Sequence, residues 1–328
     1  MKMNRAKIER MHPLGQSICN ELIGLVDKDY IFLDLPYYTN IGDTLIWKGT
    51  EDFLEQVPGK CLYRASIETY IKPSIKEDVI ILFQGGGNFG DIWRAHTEHV
   101  MEVLRDFPNN KAIILPQTVH YKDQSIMESD AKQIGSHRNV IVCARDKNSF
   151  DLLRTNFKVK NVLLLPDMAF CMNNSFLKKH SKKAKPKSLF FKRKDVEKCD
   201  YAFKQFILEA EVDVAEWPSM DKKMVATGFL ILLSILRKRL PKILFFKTLT
   251  NWYANAIYMP FLLKVGIRFI SSYDKVYSTR LHGAILSILL SKNLVFFDNS
   301  YGKNSSFYNC WLQGLDNVKF IFKEESNK

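Results

Sequence analysis

A chain of 328 residues, 46% hydrophobic and 25% charged, excludes a disordered or fibrous protein and is long enough to bury two cores. Its 48 Lys+Arg against 35 Asp+Glu give a formal charge of +13, which favours anionic partners: nucleic acid, an anionic membrane face or phosphorylated substrates. The basic residues crowd into 178–198 and 237–247, and neither stretch carries an RRM, KH, zinc-finger or helix-turn-helix signature, which argues against nucleic acid. Six cysteines without C-x-x-C spacing fit a reducing compartment. The N-terminus lacks the apolar run and small-residue cleavage site of a signal peptide, so a cytoplasmic protein is expected.

The first half alternates short β-rich runs with helical stretches. Strands are expected at 30–35, 78–83, 111–115, 140–143 and 162–165, with helices at 44–56, 92–107, 125–134 and 148–156 between them. Repeated strand, loop and helix units of this size predict a parallel sheet covered by helices, with ligands at the carboxyl ends of its strands. Residues 173–186 turn polar and basic and mark the expected linker, so the domains are read as 1–175 and 186–328.

The second half offers strands at 188–192, 212–216, 275–277 and 294–297 and helices near 201–211 and 282–290. Between them lies the long apolar and basic stretch 224–263, in which 226–236 is followed at once by Arg237, Lys238 and Arg239. That segment suits either a buried helix with a solvated end or a helix lying in a membrane interface. It is too short to cross a bilayer.

Polar and small residues gather where the strands end. Asn40, Gly42 and Asp43 lie between a strand and a helix that Asp43 or Thr44 could cap. In F-Q-G-G-G-N-F-G-D, Gly85, Gly86, Gly87 and Asn88 follow Phe83, and Gly90 and Asp91 are expected to open the next helix. Such glycines allow unusual backbone angles and close approach of a ligand to a helix N-terminus, or simply a tight turn. The pattern is neither G-x-G-x-x-G nor a Walker loop, so no nicotinamide dinucleotide is implied. Gln117, Thr118 and His120 end the third unit, and Arg145 stands at the exit of the fourth. An arginine there can fork onto a carboxylate or phosphate, or pair with a nearby acid.

Arg193, Asp195 and Glu197 follow an apolar strand, and Arg280 and His282 precede a long apolar helix with Gly283 beside them. A guanidinium and an imidazole two residues apart at a helix N-terminus make a compact anion site with a group able to move protons. Asp298, Asn299, Tyr301, Lys303 and Asn304 cluster after the last of these strands.

Read in order, N-x-G-D, F-Q-G-G-G-N-F-G-D, P-Q-T, A-R-D-x-x-S-x-x-x-L, the P-D of Pro166 and Asp167, R-x-x-D, S-T-R-L-H-G-A and Y-x-K-N resemble the pattern of polysaccharide pyruvyltransferases from about residue 34 to about 307. The resemblance implies an α/β protein of two Rossmann-like domains facing a cleft, similar to the B-type glycosyltransferase fold. It implies phosphoenolpyruvate as donor, a pyruvate ketal formed on a sugar of a capsular or exopolysaccharide or of a lipid-linked intermediate, and neither metal nor cofactor. Matched motif by motif, Arg280, Leu281 and His282 fall on residues that contact phosphoenolpyruvate. Arg145 falls on the family's A-R-D arginine, and Gly85 to Gly87 on its glycine-rich loop. Asn40, Asp43, Asn88, Gln117 and Arg193 complete the expected substrate-binding set. His282 is either the general acid or a phosphate ligand. Residues 227–263 match no family motif.

The main rival is a B-type glycosyltransferase using a nucleotide sugar, for which a late acidic ribose-binding pair is missing. A non-catalytic scaffold of a polysaccharide assembly complex is a second rival, against which the arginines and His282 speak. Peripheral contact with the inner membrane face, through the basic patches and 226–236, is a further expectation.

Overall fold

A computed structural model describes residues 8–192, 212–220, 224–240, 244–298 and 302–322. The chain forms two compact units, Met1–Met172 with Met220–Phe261 and Asn173–Ser219 with Leu262–Lys328.

The first unit begins with helix α1 (Pro13–Leu22) and strand β1 (Tyr30–Leu33), followed by α2 (Ile41–Leu54) and β2 (Cys61–Ala65). Next come β3 (Ile80–Phe83), β4 (Gly86–Gly90), α3 (Arg94–Asp106), β5 (Ala112–His120) and α4 (Gln124–Gly135). The chain continues through β6 (Val140–Ala144), α5 (Lys147–Asn156) and β7 (Asn161–Leu164) to a 3-10 turn at Met168–Cys171. All strands pair in parallel in the order β2-β1-β3-β5-β6-β7, with β4 on β5. β1, β3 and β6 are buried throughout and β5 nearly so, as a parallel sheet covered on both faces requires. Their continuous apolar runs, with Phe32 and Phe83 fully enclosed, supply the core at roughly 1.5–3 kcal/mol per large side chain.

The second unit holds α6 (Asn174–His180), β8 (Lys185–Phe191) and β9 (Val212–Ala215). After the segment that belongs to the first unit, it resumes through most of α9 (Met259–Ser271), then β10 (Tyr273–Ser278), α10 (Leu281–Leu289), β11 (Asn293–Phe297), α11 (Lys303–Trp311) and β12 (Val318–Ile321). Its sheet is also parallel, ordered β12-β11-β10-β8-β9 around a smaller core of Phe190, Tyr277, Val295, Phe297 and Ile321.

The expected parallel sheet with interleaved helices is therefore present twice. The units do not follow the single break expected at 173–186. That stretch contains α6, capped by Asn173, whose side chain accepts from Ser175 N. The segment from Met220 to Phe261 clusters with the first unit. It comprises α7 (Val225–Arg239), α8 (Leu244–Tyr253) and a π-helical turn at Ala254–Tyr258. The reason is polar contact with the first sheet's edge: Thr69 Oγ1 donates to Asn251 Oδ1 at 2.8 Å, and Arg64 Nη1 to Asn255 Oδ1 at 3.1 Å. The helix expected near 201–211 lies outside the described residues.

In each sheet the strand order reverses once. β1 is flanked by β2 on one side and β3 on the other, and β8 by β9 and β10. Ligands of open parallel sheets bind outside the carboxyl ends of strands at such a reversal. In the first unit those ends lead to Asp34 and Gln84, and in the second to Lys192 and Thr279.

Candidate functional site

At the β1 exit, Asp34 takes a left-handed backbone conformation with φ 63°. Such conformers are uncommon outside glycine, and aspartate and asparagine tolerate them best. The turn buries the Asp34 carboxylate, and Oδ1 lies 2.7 Å from Nδ1 of His96, in the first turn of α3. Burial works against a charged imidazole here, but the hydrogen bond and the negative charge of Asp34 outweigh it and raise the His96 pKa above its usual 6.5. The ring keeps 18% of its side chain exposed, so it is both oriented and reachable.

Beside this dyad, Tyr38 O–H donates to Asp43 Oδ2 at 2.9 Å and accepts from Asn88 Nδ2 at 3.1 Å. The Tyr38 and His96 rings meet edge to face at 6.3 Å. Burial, then the charges of Asp43 and Asp34, push the Tyr38 phenol well above its usual pKa, so it stays a neutral donor. Asn40 caps α2: its Oδ1 accepts from Asp43 N at 3.3 Å and its Nδ2 donates to Asp43 Oδ2 at 2.7 Å. The cap is thus Asn40, not Asp43 or Thr44, because the helix starts at Ile41. The structure joins Asn40, Asp43 and Asn88 through Tyr38.

The glycine-rich loop differs from the expected helix opening. Gly86 to Gly90 form β4, paired with Gln117 to His120 of β5, and α3 starts only at Arg94. Gly90 has φ 140°, and a Cβ there would lie 1.8 Å from the His120 carbonyl oxygen. A Cβ on Gly85 would meet the Pro116 carbonyl at 2.8 Å. Asp91, expected to open the helix, instead accepts from Lys122 N at 2.6 Å and Asp123 N at 2.8 Å.

Gln117 is buried at the same strand ends, and its Nε2 donates to the Gln84 carbonyl at 2.7 Å. The Gln84 side-chain amide, with both of its polar atoms, and Gln117 Oε1 are buried without a hydrogen-bond partner among the described residues. Buried amides are nearly always satisfied, so a polar partner, water or ligand, is expected beside this pair.

Arg145 is enclosed, with only 1% of its side chain exposed. Its Nε donates to Thr118 Oγ1 at 2.8 Å and its Nη1 to Asp167 Oδ2 at 2.6 Å. Asp167 Oδ1 also accepts from Ala169 N at 2.9 Å, which caps the 3-10 turn. Thr118 Oγ1 donates in turn to Asp146 Oδ2 at 2.9 Å. The alternative open to Arg145, pairing with an acid, is the one observed, and that acid is buried Asp167 rather than a surface group.

In the second unit Arg280 follows β10 as the residue preceding α10, and Leu281 and His282 form the helix's first turn. Arg280 N donates to Ser278 Oγ at 3.0 Å, and its Nη2 donates to Glu216 Oε1 at 2.7 Å. The guanidinium also sits over the Phe191 ring, 5.6 Å from its centroid. Gly283 makes room for that ring, since a Cβ there would lie 2.3 Å from Phe191 Cδ1. Leu281 is buried, while His282 is half-buried at the positive end of the helix dipole.

Buried Asn304 donates from Nδ2 to the carbonyls of Thr279 at 3.1 Å and Phe297 at 2.9 Å, tying the β10 loop to the end of β11. Asp298 Oδ1 accepts from Ser305 N at 3.0 Å. Lys303 opens α11. Arg193, Asp195, Glu197, Asn299 and Tyr301 lie outside the described residues.

Sequence reasoning missed Asp34, Tyr38, Gln84, His96 and Glu216 as site residues. Only the strand-to-turn position of Asp34 and the place of Gln84 inside F-Q-G-G-G hinted at two of them.

Comparison with known proteins gives the family and the fold. The family described as polysaccharide pyruvyl transferase matches residues 40–301. The chain is 30% identical over 315 residues to "Putative pyruvyl transferase EpsO" of Bacillus subtilis (strain 168), covering 93% of this chain and 94% of that protein. It is 26% identical to "Pyruvyl transferase 1" of Schizosaccharomyces pombe (strain 972 / ATCC 24843), covering 90% of this chain and 73% of that one. The crystal structure of a functionally uncharacterised protein from Klebsiella pneumoniae subsp. pneumoniae NTUH-K2044 matches with a TM-score of 0.62 at 22% identity, over 95% of this chain and 99% of that chain, and shares the fold.

Proposed function

From the polysaccharide pyruvyl transferase family, to which this chain belongs, we propose that it moves the enolpyruvyl group of phosphoenolpyruvate onto two hydroxyls of one sugar in a capsular or exopolysaccharide, or in its lipid-linked precursor. The observation that carries this reading is Arg280 and His282 at the N-terminus of α10, where the second sheet reverses its strand order. A donor with a carboxylate and a phosphate needs a fixed cation and a helix end, and both are there.

The chemistry balances as follows. A proton adds to the methylene carbon and leaves cationic character at the central carbon. One sugar hydroxyl attacks that carbon, the second hydroxyl forms the other C–O bond, and the C–O bond to phosphate breaks. Of the two hydroxyl protons, one in effect replaces that delivered to the methyl group and one leaves on phosphate. His282 delivers the first proton and Arg280 neutralises the departing phosphate, roles worth roughly 10²–10⁴-fold and 10²–10³-fold. Within the first unit, the Asp34–His96 dyad has the geometry of a base for a hydroxyl proton: a carboxylate fixes Nδ1 and leaves Nε2 as the base, the arrangement that makes an imidazole directional.

Gln84 and Gln117 offer amide groups to sugar hydroxyls, with Gly85, Gly86, Gly87 and Asn88 alongside. Arg145 acts as a positioning residue. Held by Thr118 and Asp167, it fixes the strand end through its backbone N–H on the Gln117 carbonyl at 3.0 Å. Arg193 is assigned to the donor on its motif alone. A cytoplasmic site of action suits the cysteines, five of which are free thiols among the described residues.

The test is incubation with phosphoenolpyruvate and a panel of galactose, mannose and N-acetylhexosamine acceptors, reading phosphate release together with acceptor mass. A pyruvyl ketal that disappears in Arg280→Ala and His282→Ala is the expected result. Failure to bind phosphoenolpyruvate, with binding of a nucleotide sugar in its place, overturns the reading in favour of a glycosyltransferase.

A further inference from the structure

The segment that matches no family motif forms the helices α7 and α8, and their outer surface carries apolar residues that are exposed among the described residues. Leu230 and Leu233 of α7 are buried, whereas Phe229 and Leu232, one position away and turned to another side of the helix, are exposed. Val225 is 87% exposed, and at the start of α8 Leu244 and Phe245 are 61% and 63% exposed. Trp252, two turns further along α8, is 56% exposed.

The inner side is firmly held, so this exposure does not come from a loosely placed helix. Arg237 pairs with Glu68, Thr69 Oγ1 donates to Asn251 Oδ1 at 2.8 Å, and Asn255 Nδ2 donates to the Tyr37 hydroxyl at 3.0 Å. The two helices are joined by Tyr253 O–H on the Ala226 carbonyl at 2.9 Å and by packing of the Phe229 and Tyr253 rings at 4.7 Å. Clamped by polar contacts on one side and apolar on the other, the pair has a face that no other described residue covers.

Charge identifies what covers it. No Asp or Glu occurs between residues 222 and 273, while Lys238 and Arg239 are exposed at the α7 end that leads towards Leu244 and Phe245. A second copy of the chain seated there would set lysine and arginine against lysine and arginine. Negatively charged phosphate headgroups over a hydrocarbon layer complement both features. Neither helix is long and apolar enough to cross a bilayer, so the mode is lying on the surface.

We propose that the outer face of the α7–α8 pair docks this protein on an anionic phospholipid bilayer, with Phe229, Leu232, Leu244, Phe245 and Trp252 entering the headgroup boundary and Lys238 and Arg239 meeting the lipid phosphates. This deepens the proposed function in one respect: a lipid-linked acceptor sugar is presented at such a surface.

The test is co-sedimentation of the full chain with vesicles of phosphatidylglycerol and phosphatidylcholine, and of phosphatidylcholine alone, at low and high salt. The native protein should partition onto the anionic vesicles at least about tenfold more than onto neutral ones and lose most of that binding in high salt. The double variant Leu244→Glu, Phe245→Glu should stay in the supernatant while keeping its mass in solution and its turnover of a water-soluble acceptor. Indifference of the native protein to anionic vesicles at low salt overturns the proposal. So does a native dimer that the double variant splits, since the face would then join two copies. Vesicle binding is read without turnover. An inactive protein that sediments with anionic lipid therefore counts against the transferase reading alone, and an active one that does not counts against docking alone.

Discussion

Asp34 holds His96 from the end of β1 through a 2.7 Å contact to Nδ1, across 62 residues of sequence, and does so from a left-handed backbone position. Replacement by asparagine keeps that backbone within reach and removes the charge. The His96 pKa, raised in the native protein, should fall in Asp34→Asn, read from the ring resonances in an NMR titration. Because folding raises this pKa, the pairing adds stability fully below the ordinary 6.5 and loses it as pH climbs through the raised value. The difference in melting temperature between native protein and Asp34→Asn should therefore be largest below the ordinary 6.5 and shrink as pH rises through the raised value. If His96 is the base, turnover runs the other way and rises with pH through the same value.

Arg145 and Asp167 form an ion pair in which both side chains are almost wholly buried. Removing one partner strands a charge, so Arg145→Met or Asp167→Asn alone should cost about 3–5 kcal/mol in urea denaturation. The double variant should recover part of that loss. Additive losses would show that the two residues act separately.

Gly90 meets two obstacles to a side chain: its φ of 140° and the His120 carbonyl 1.8 Å from a built Cβ. Gly90→Ala should destabilise the protein by more than about 1 kcal/mol, and β4 should loosen from β5. Amide exchange at Asp91, whose N–H donates to the His120 carbonyl at 3.4 Å, would show the loosening.

Glu216 takes one arm of Arg280 at 2.7 Å. Glu216→Gln keeps the shape and lowers the local negative charge, so an acidic donor should bind more tightly while the arginine is less well oriented. A fall in KM for phosphoenolpyruvate together with a drop in kcat of about tenfold is expected. Equal changes for neutral and anionic ligands would contradict a charge effect.

Gly283→Ala places a methyl 2.3 Å from Phe191 Cδ1, beneath the ring that carries Arg280. Overpacking of this kind costs about 1–3 kcal/mol, and the displaced ring should lower turnover more than it lowers the melting temperature of the whole protein. Steady-state kinetics beside thermal unfolding separate the two effects.

The strands legible in the sequence were those buried on both faces, because Tyr30–Leu33, Ile80–Phe83 and Val140–Ala144 are near-continuous apolar runs. β2, Cys61–Ala65, is only partly buried at the sheet edge and carries Arg64, so it gave no such run. β4 was hidden for the opposite reason: glycines that read as a turn were required by close approach of β5. Arg280, Leu281 and His282 were legible because they are adjacent in sequence. Asp34 with His96 and Glu216 with Arg280 were not, since 62 and 64 residues separate the partners and only strand order brings them together. The two-helix segment was apolar on more than one face, and periodicity does not say which face is covered.

The division of the chain has a consequence for synthesis. Met220–Phe261 belongs to the first unit, so that unit's last helices emerge only after part of the second unit has already been made. The second unit is likewise split by this insertion and completed last. No cut in the sequence yields either one as a contiguous fragment, and a product truncated after residue 172 leaves the surface around Arg64, Glu68 and Thr69 without its cover. Nascent first units therefore wait, partly open, for the ribosome to deliver Met220–Phe261.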